Sequence, residues 1–340
     1  MFNYLRSIFM LNKMTTTALF EKFTQLNVVI VGDVMIDRYL HGKVSRISPE
    51  APVPVVEWQR TEDRLGGAAN VALNIKAMGA TPYLFSAIGA DTEGSSFLSL
   101  MGNNSLSTRG LLQIKGRPTT VKTRIMAGTQ QMLRLDSEVT TDLSDADRAH
   151  FMYALRSFLN ENNVDVIIFQ DYNKGVLNLN VIKDVMQEAL NRHIPTTVDP
   201  KHKHFLDYQG ATLFKPNLKE IRDAVDFDVT PNLDSLKKAA AFLNKKLGNT
   251  LTMITLSEKG LFLGSDTEGS IFPIQPRPIS DVSGAGDTVI SVASLCLAAK
   301  TDNRTLAVLS NLAGCQVCEK AGVVAVNREQ LEMEFLALTA

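Results

Sequence analysis

Asn27-Val28-Val29-Ile30-Val31-Gly32-Asp33 decides the fold class. A continuous β-branched run without polar alternation reads as a strand buried on both faces, as in parallel sheets, and Gly-Asp marks its end. Runs of the same kind recur at Val164 to Phe169, Pro195 to Val198, Thr212 to Phe214 and Leu251 to Leu256. Between them lie stretches of helical periodicity: Ala68 to Met78, Asp145 to Asn160, Leu179 to Arg192, Leu218 to Val225 and Leu233 to Leu247. Strands alternating with helices of this length build βαβ units, so the expectation is a three-layer α/β fold with helices on both faces of a mostly parallel central sheet. Two segments break the alternation. One is strand-like but carries Pro49, Pro52 and Pro54, and Thr119 to Leu135 alternate polar with apolar residues. Proline confines a strand to a sheet edge, so the segments at about 39–58 and 117–135 read as a small β-sheet lid. The expected organisation is an N-terminal extension and first helix over 1–26, followed by one domain over 27–340.

Bulk composition narrows the function classes. With 45% apolar and 21% charged residues in 340, the chain has an ordinary globular balance. Its 35 Lys and Arg nearly cancel 36 Asp and Glu, leaving no basic field for nucleic acid or an anionic membrane. Three cysteines cannot make a disulfide framework, which points to a reducing compartment. Cys315 and Cys318 fall within the helical pattern of Leu306, Leu309, Leu312 and Val317 and read as small buried side chains, since two ligands are too few for a structural zinc site. No apolar run approaches the ~20 residues that span a bilayer. Asn12 and Lys13 interrupt any signal-peptide core in Met1 to Phe20, so the stretch reads as a poorly ordered extension and the expected address is the cytoplasm.

The chemistry concentrates in Asp281-Val282-Ser283-Gly284-Ala285-Gly286-Asp287-Thr288, which runs into an apolar helical stretch from Val289 to Ala299. Small residues let the backbone approach a ligand and aim its N–H groups at one point, and a helix N-terminus adds a positive dipole end. Gly284, Ala285 and Gly286 then form an anion hole, with Asp287 as a carboxylate in the first turn. The plainer reading of Asp287 is a favourable helix-start charge. The chain has neither a Walker Gly-x-x-x-x-Gly-Lys-Ser/Thr nor the protein-kinase motif set. A phosphoryl-transfer site of another design still needs anion donors, a base and a metal site. Asn217-Leu218-Lys219-Glu220 offers an amide and a carboxylate at one helix start, both for a capping box and for magnesium held through water. Gly66-Gly67-Ala68-Ala69-Asn70 is a second glycine cluster at a helix start, and the two clusters would bracket one crevice at the carboxyl ends of the strands.

Gly66 to Asn70 and Asp281 to Thr288 resemble the two signatures of the ribokinase-like (PfkB) carbohydrate kinases, and the order Gly-Gly-Ala-Ala-Asn, Asp171, Asn-x-x-Glu, Gly-Ala-Gly-Asp matches as well. The resemblance runs from about Asn27 to Val326 and implies a ribokinase-like fold with a lid. It also implies Asp287 as general base. Gly32 to Tyr39, Ser45 to Val55 and Asp171-Tyr172-Asn173-Lys174-Gly175 further resemble the kinase module of bacterial heptose biosynthesis proteins, although that group more often has Gly at 173 and Ser at 170. The chain ends near Ala340 without the His-x-Gly-His of the adenylyltransferase domain that often follows, so the resemblance is to the stand-alone kinase.

The implied reaction is transfer of the ATP γ-phosphoryl group to the anomeric O1 of D-glycero-β-D-manno-heptose 7-phosphate, with Mg2+ and an open requirement for a monovalent cation such as K+. Asp37, Gly66, Gly67, Asn70 and Asp171 fall on the sugar side, and Asn217, Leu218, Lys219, Glu220, Ser257, Gly260 and Asn311 on the nucleotide side, with Glu220 toward the metal. A phosphorylated sugar needs a second anion site, for which Lys122, Arg124, Arg134, Arg38 and Lys174 are candidates against their plain reading as solvated charges. A homodimer through the lid sheet is expected by the same resemblance. The alternatives are a kinase for ribose, fructose or a keto-deoxy acid, and a non-catalytic sugar- or nucleotide-binding regulator.

Overall fold

The computed structural model describes residues 15–274 and 277–339. The N-terminal stretch expected to be poorly ordered lies outside them up to residue 14, and residues 15–23 are helical (α1). The first strands are β1 (Asn27–Gly32), β2 (Val34–Ile47) and β3 (Pro54–Gly67), and β3 runs directly into α2 (Ala68–Ala77). Then come β4 (Thr81–Gly89), α3 (Thr92–Asn103), β5 (Gly110–Ile114), β6 (Val121–Ala127), β7 (Gln130–Ser137) and α4 (Asp145–Glu161). The middle of the chain contributes β8 (Val166–Gln170), α5 (Leu179–Asn191), β9 (Thr196–Asp199), β10 (Leu213–Phe214), α6 (Leu218–Ala224) and α7 (Leu233–Leu247). Last are β11 (Leu251–Thr255), β12 (Leu261–Gly264), β13 (Gly269–Phe272), α8 (Ala285–Ala298), α9 (Asn303–Cys318) and α10 (Arg328–Thr339).

The central sheet has the order β13-β12-β11-β10-β9-β8-β1-β4-β5, parallel except for the antiparallel β11–β12–β13 edge. Strand alternation explains why the continuous apolar runs are needed. On β1, Val28 and Ile30 enter one core with Ala69 of α2, Ile290 of α8 and Leu309 of α9, while Val29 and Val31 enter the other with Leu155, Val185 and Leu243 from α4, α5 and α7. Each face of the strand must therefore be apolar. The same alternation on β8 sends Ile168 to the first core and Phe169 to the second. Gln170 and Asp171 continue it to opposite sides.

A second sheet, ordered β3-β2-β6-β7, carries the Pro-interrupted and alternating segments. Its strands reach further inward than the 39–58 and 117–135 stretches. β2 begins at Val34 and β3 ends at Gly67, so their inner ends are buried beside the central sheet while their outer ends are exposed. Arg38 ties this sheet to α3 by pairing with Asp63 at 2.7 Å and Glu93 at 2.8 Å. Among the described residues, no helix is long and apolar enough to cross a membrane.

Candidate active site

Helix α8 starts at the carboxyl ends of β8 and β9, beside Gln170 and Asp199. Gly284 is its N-cap, with φ +80°, a left-handed conformation that costs a residue with a Cβ. A Cβ there would also stand 2.8 Å from Asn70 Nδ2. Of the three donors read as an anion hole, the Ala285 N–H is spent on Val282 O at 3.3 Å. The N–H groups of Gly286 and Asp287 lie in the first helical turn, where no intrahelical acceptor exists. Asp281 fixes the preceding loop by accepting from Ser283 N at 2.9 Å and Gly322 N at 3.0 Å.

Asp287 is buried, and three side chains from distant parts of the chain donate to its carboxylate. Asn70 Nδ2 reaches Oδ2 at 2.8 Å, while Tyr172 Oη and Gln170 Nε2 reach Oδ1 at 2.6 and 3.0 Å. Burial pushes the Asp287 carboxyl up to about 6 even though the Tyr172 and Asn70 bonds pull it down. It is therefore ionised at neutral pH and close to its proton-exchange range, which suits a proton acceptor. Beneath it, Lys215 pairs with Asp199 at 3.0 Å, both nearly sealed from solvent. Burial opposes ionisation of Asp199, but Lys215 and Lys201 outweigh it and hold its carboxyl below the usual range. A Cβ on Gly286 would lie 3.7 Å from both Asp199 Oδ2 and Lys215 Nζ, so this ion pair underlies the start of α8.

On the lid side, Asp37 pairs with Arg124 at 2.5 Å. Gly66 is required here by close approach, since a Cβ would fall 2.1 Å from Asp37 Oδ2. Arg64 and Arg124 lie over the Tyr39 ring at 5.0 and 5.3 Å, and Arg64 donates to Val323 O. Gly67 is the N-cap of α2, whose first N–H, on Ala68, donates to Asp33 O at 2.9 Å.

Of the residues assigned to the sugar side, Asp171, Arg38 and Arg134 are engaged away from Asp287, whereas Lys122 and Lys174 are held in ion pairs. Asp171 faces away from Asp287: its carboxylate is buried in the opposite layer, accepting from Tyr208 Oη at 2.8 Å and Asn173 N at 2.7 Å. The reason is the alternation on β8, which gives the crevice to Gln170. Arg38 is held by Asp63 and Glu93 rather than aimed at the crevice, and Arg134 is half-exposed and bonded to its neighbour Asp136. Lys122 pairs with Asp136 at 3.3 Å and Glu138 at 3.6 Å, and Lys174 with Glu138 at 2.7 Å.

On the other side, Asn217 and Glu220 form a complete capping box at the start of α6, and Asn217 also bridges to Thr255 at the end of β11. Leu218 packs on the second core and Lys219 is exposed. Ser257 is exposed, while Gly260 is buried with φ +90° against Phe272 O. Asn311 Nδ2 donates to Phe272 O at 2.9 Å, tying α9 to the end of β13 beside a cavity of about 1080 Å³.

Sequence reading quoted Gln170 and Tyr172 only for the resemblance and assigned neither them nor Asp199, Lys201 or Lys215 to the site. Gln170 could have been found by extending the β8 alternation two residues past Ile168. The others follow strands at their carboxyl ends, where a polar residue after an apolar run is the available signal.

Residues 25–330 match the family described as pfkB family carbohydrate kinase. The chain belongs to that family. It is 38% identical over 317 residues to the bifunctional protein HldE of Magnetococcus marinus, covering 92% of this chain and 65% of that protein. It is 40% identical over 314 residues to the bifunctional protein HldE of Koribacter versatilis, covering 92% of this chain and 63% of that one. The chain thus spans slightly under two thirds of the length of these curated relatives. Escherichia coli phosphofructokinase-2, in a crystal structure with potassium, superposes with a TM-score of 0.76 at 16% identity, covering 93% of this chain and 99% of the other. That likeness establishes the ribokinase-like α/β fold. The chain is a kinase of the carbohydrate class.

Proposed function

We propose that this kinase transfers the γ-phosphoryl group of ATP to the anomeric O1 of D-glycero-β-D-manno-heptose 7-phosphate. The observation carrying the chemistry is Asp287, a buried carboxylate oriented by three donors at the start of a glycine-led helix. Asp287 takes the proton from the sugar hydroxyl, and the N–H groups of Gly286 and Asp287 face the charge on the transferred group. The choice of sugar rests on the Gly32 to Tyr39 and Ser45 to Val55 segments and on the similarity to two HldE proteins. Purified protein with ATP, Mg2+ and the phosphorylated heptose should release ADP faster than with ribose, fructose, fructose 6-phosphate or a keto-deoxy acid. A clear preference for an unphosphorylated sugar would reject this substrate.

Asp37, Gly66, Gly67 and Asn70 are assigned to the sugar. Lys122 and Lys174, which converge on Glu138, are assigned with Arg124 to its phosphate, in preference to the outward Arg134 and the latched Arg38. The nucleotide is assigned to Asn217 to Glu220, Ser257 and Gly260, with adenine beside Asn311. Glu220 fits magnesium held through water. One oxygen accepts from Asn217 N and the other from Lys201, so the carboxylate keeps lone pairs for a water but not an open inner coordination site. Bound there, the ion would neutralise phosphate charge.

Ionisation of Asp287 predicts an acid limb in kcat/KM near pH 6, because the base is protonated below its pKa of about 6. A sugar phosphate also titrates near pH 6, so the informative comparison is Tyr172→Phe. Losing a bond that favours the charged carboxylate should move the limb to higher pH. An unmoved limb would assign it to the substrate instead.

A homodimer through the lid is proposed from Ile47, Trp58, Leu133 and Leu135 on that sheet and Val53 in the turn between β2 and β3, each more than half exposed. Trp58→Glu should convert a dimer to monomer in sedimentation, and a wild-type monomer would reject the interface.

A further inference from the structure

Lys201 is a charged side chain of the crevice to which the chemistry above gives no part. It follows Asp199 and Pro200 at the carboxyl end of β9. Its ammonium donates to Glu220 Oε1 at the start of α6 and lies 5.7 Å from the centre of the Tyr172 ring. The Tyr172 hydroxyl in turn holds Asp287 Oδ1 at 2.6 Å. Lys201 therefore stands between the carboxylate on the acceptor side and the helix start on the nucleotide side. Burial opposes its charge, but Asp199 and Glu220 outweigh that, with Asp287 adding to them, so it stays cationic.

The neighbouring cation cannot serve the same purpose. Lys215 is 3% exposed and fixed on Asp199, whereas the Lys201 side chain is 32% exposed and its head can leave Glu220 for a ligand. A lysine is a compact charge on a flexible four-carbon stem, suited to such a shift. Phosphoryl transfer places charge on the oxygens between donor and acceptor, and with no Walker lysine in the sequence that position needs another cation.

We propose that Lys201 is a catalytic residue that leaves Glu220 when ATP binds and contacts the oxygens of the transferred γ-phosphoryl group. It remains protonated throughout. The bond from γ-phosphorus to the ADP oxygen breaks, the bond to the sugar oxygen forms, and the sugar's proton goes to Asp287. This rests on reading the crevice as an ATP-dependent sugar kinase site, and not on the identity of the sugar.

The test uses Lys201→Met and Lys201→Arg with whichever sugar the wild type turns over, together with calorimetric affinities for ADP and a non-hydrolysable ATP analogue. The Met variant should lose about 10²-fold in kcat, the scale for removing one donor to transition-state charge, with the sugar KM little changed. It should also lose the preference for the triphosphate over the diphosphate, and the Arg variant should recover part of both. A kcat within about threefold of wild type, or an unchanged triphosphate preference, would overturn the proposal. If the wild type phosphorylates no sugar in the panel, the substrate reading fails in the wild type itself. The triphosphate preference then decides the role of Lys201 alone.

Discussion

Asp287→Asn should lower kcat by about two to four orders of magnitude, the range for a positioned general base, while leaving ATP affinity within a few-fold of wild type. The substitution keeps the side-chain volume and removes the charge and the proton acceptor. Tyr172 and Gln170 can still donate to the remaining carbonyl oxygen. The new amide nitrogen would then face Asn70 Nδ2, a donor 2.8 Å from the present Oδ2, so Asn70 must turn its own amide to present oxygen. That turn disturbs the 3.4 Å contact from Asn74 Nδ2 to Asn70 Oδ1, leaves the Asn74 bond to the Asn70 backbone carbonyl in place and breaks no ion pair. Single-turnover kinetics would separate the chemical step from binding. Near-full activity in this variant would remove Asp287 from the role of base and leave it a structural anchor for α8.

How much of this was legible in the sequence depends on the physical origin of each feature. The run Val28 to Val31 was legible because burial between two helical layers demands apolar residues on both faces. The β4–α3–β5 segment was not assigned. In α3 only Gly94, Phe97 and Met101 are buried, a stripe too thin to stand out from its serines. The short β12–β13 hairpin, with four residues in each strand, gives equally little periodicity. The Gly284 to Asp287 loop was readable because its demands are local. Its partners were not, since Tyr172, Gln170 and Asn70 meet Asp287 across separations of 115, 117 and 217 residues. The ion pairs of the lysines and arginines were hidden for a related reason. Sequence shows Lys122 and Arg134 as cations, but only the register of β6 with β7 shows that Asp136 lies opposite one and bonds the other.

Asp33→Ala should produce the largest loss of stability among substitutions near the crevice, and a loss of turnover with it. Asp33 follows β1 and is 1% exposed. Its Oδ2 accepts from the N–H groups of Tyr172 and Lys174 at 2.9 and 3.0 Å, and its Oδ1 from Val176 at 3.0 Å. Burial raises its carboxyl above the ordinary range, against the pull of these donors and the charge of Arg117. Removing the carboxylate leaves three backbone donors without an acceptor, at roughly 1–3 kcal/mol for each that stays dry. The sum is a large share of the ~5–15 kcal/mol that holds a folded domain. The loop bearing Tyr172 would relax to rehydrate those groups, and its hydroxyl would leave Asp287 Oδ1. Urea unfolding and kcat should therefore fall together. Asp33→Asn, which keeps one carbonyl acceptor, should fall between Ala and wild type in both. A stable Ala variant with impaired turnover would instead mean that water fills the site and that Asp33 acts through the position of Tyr172 alone.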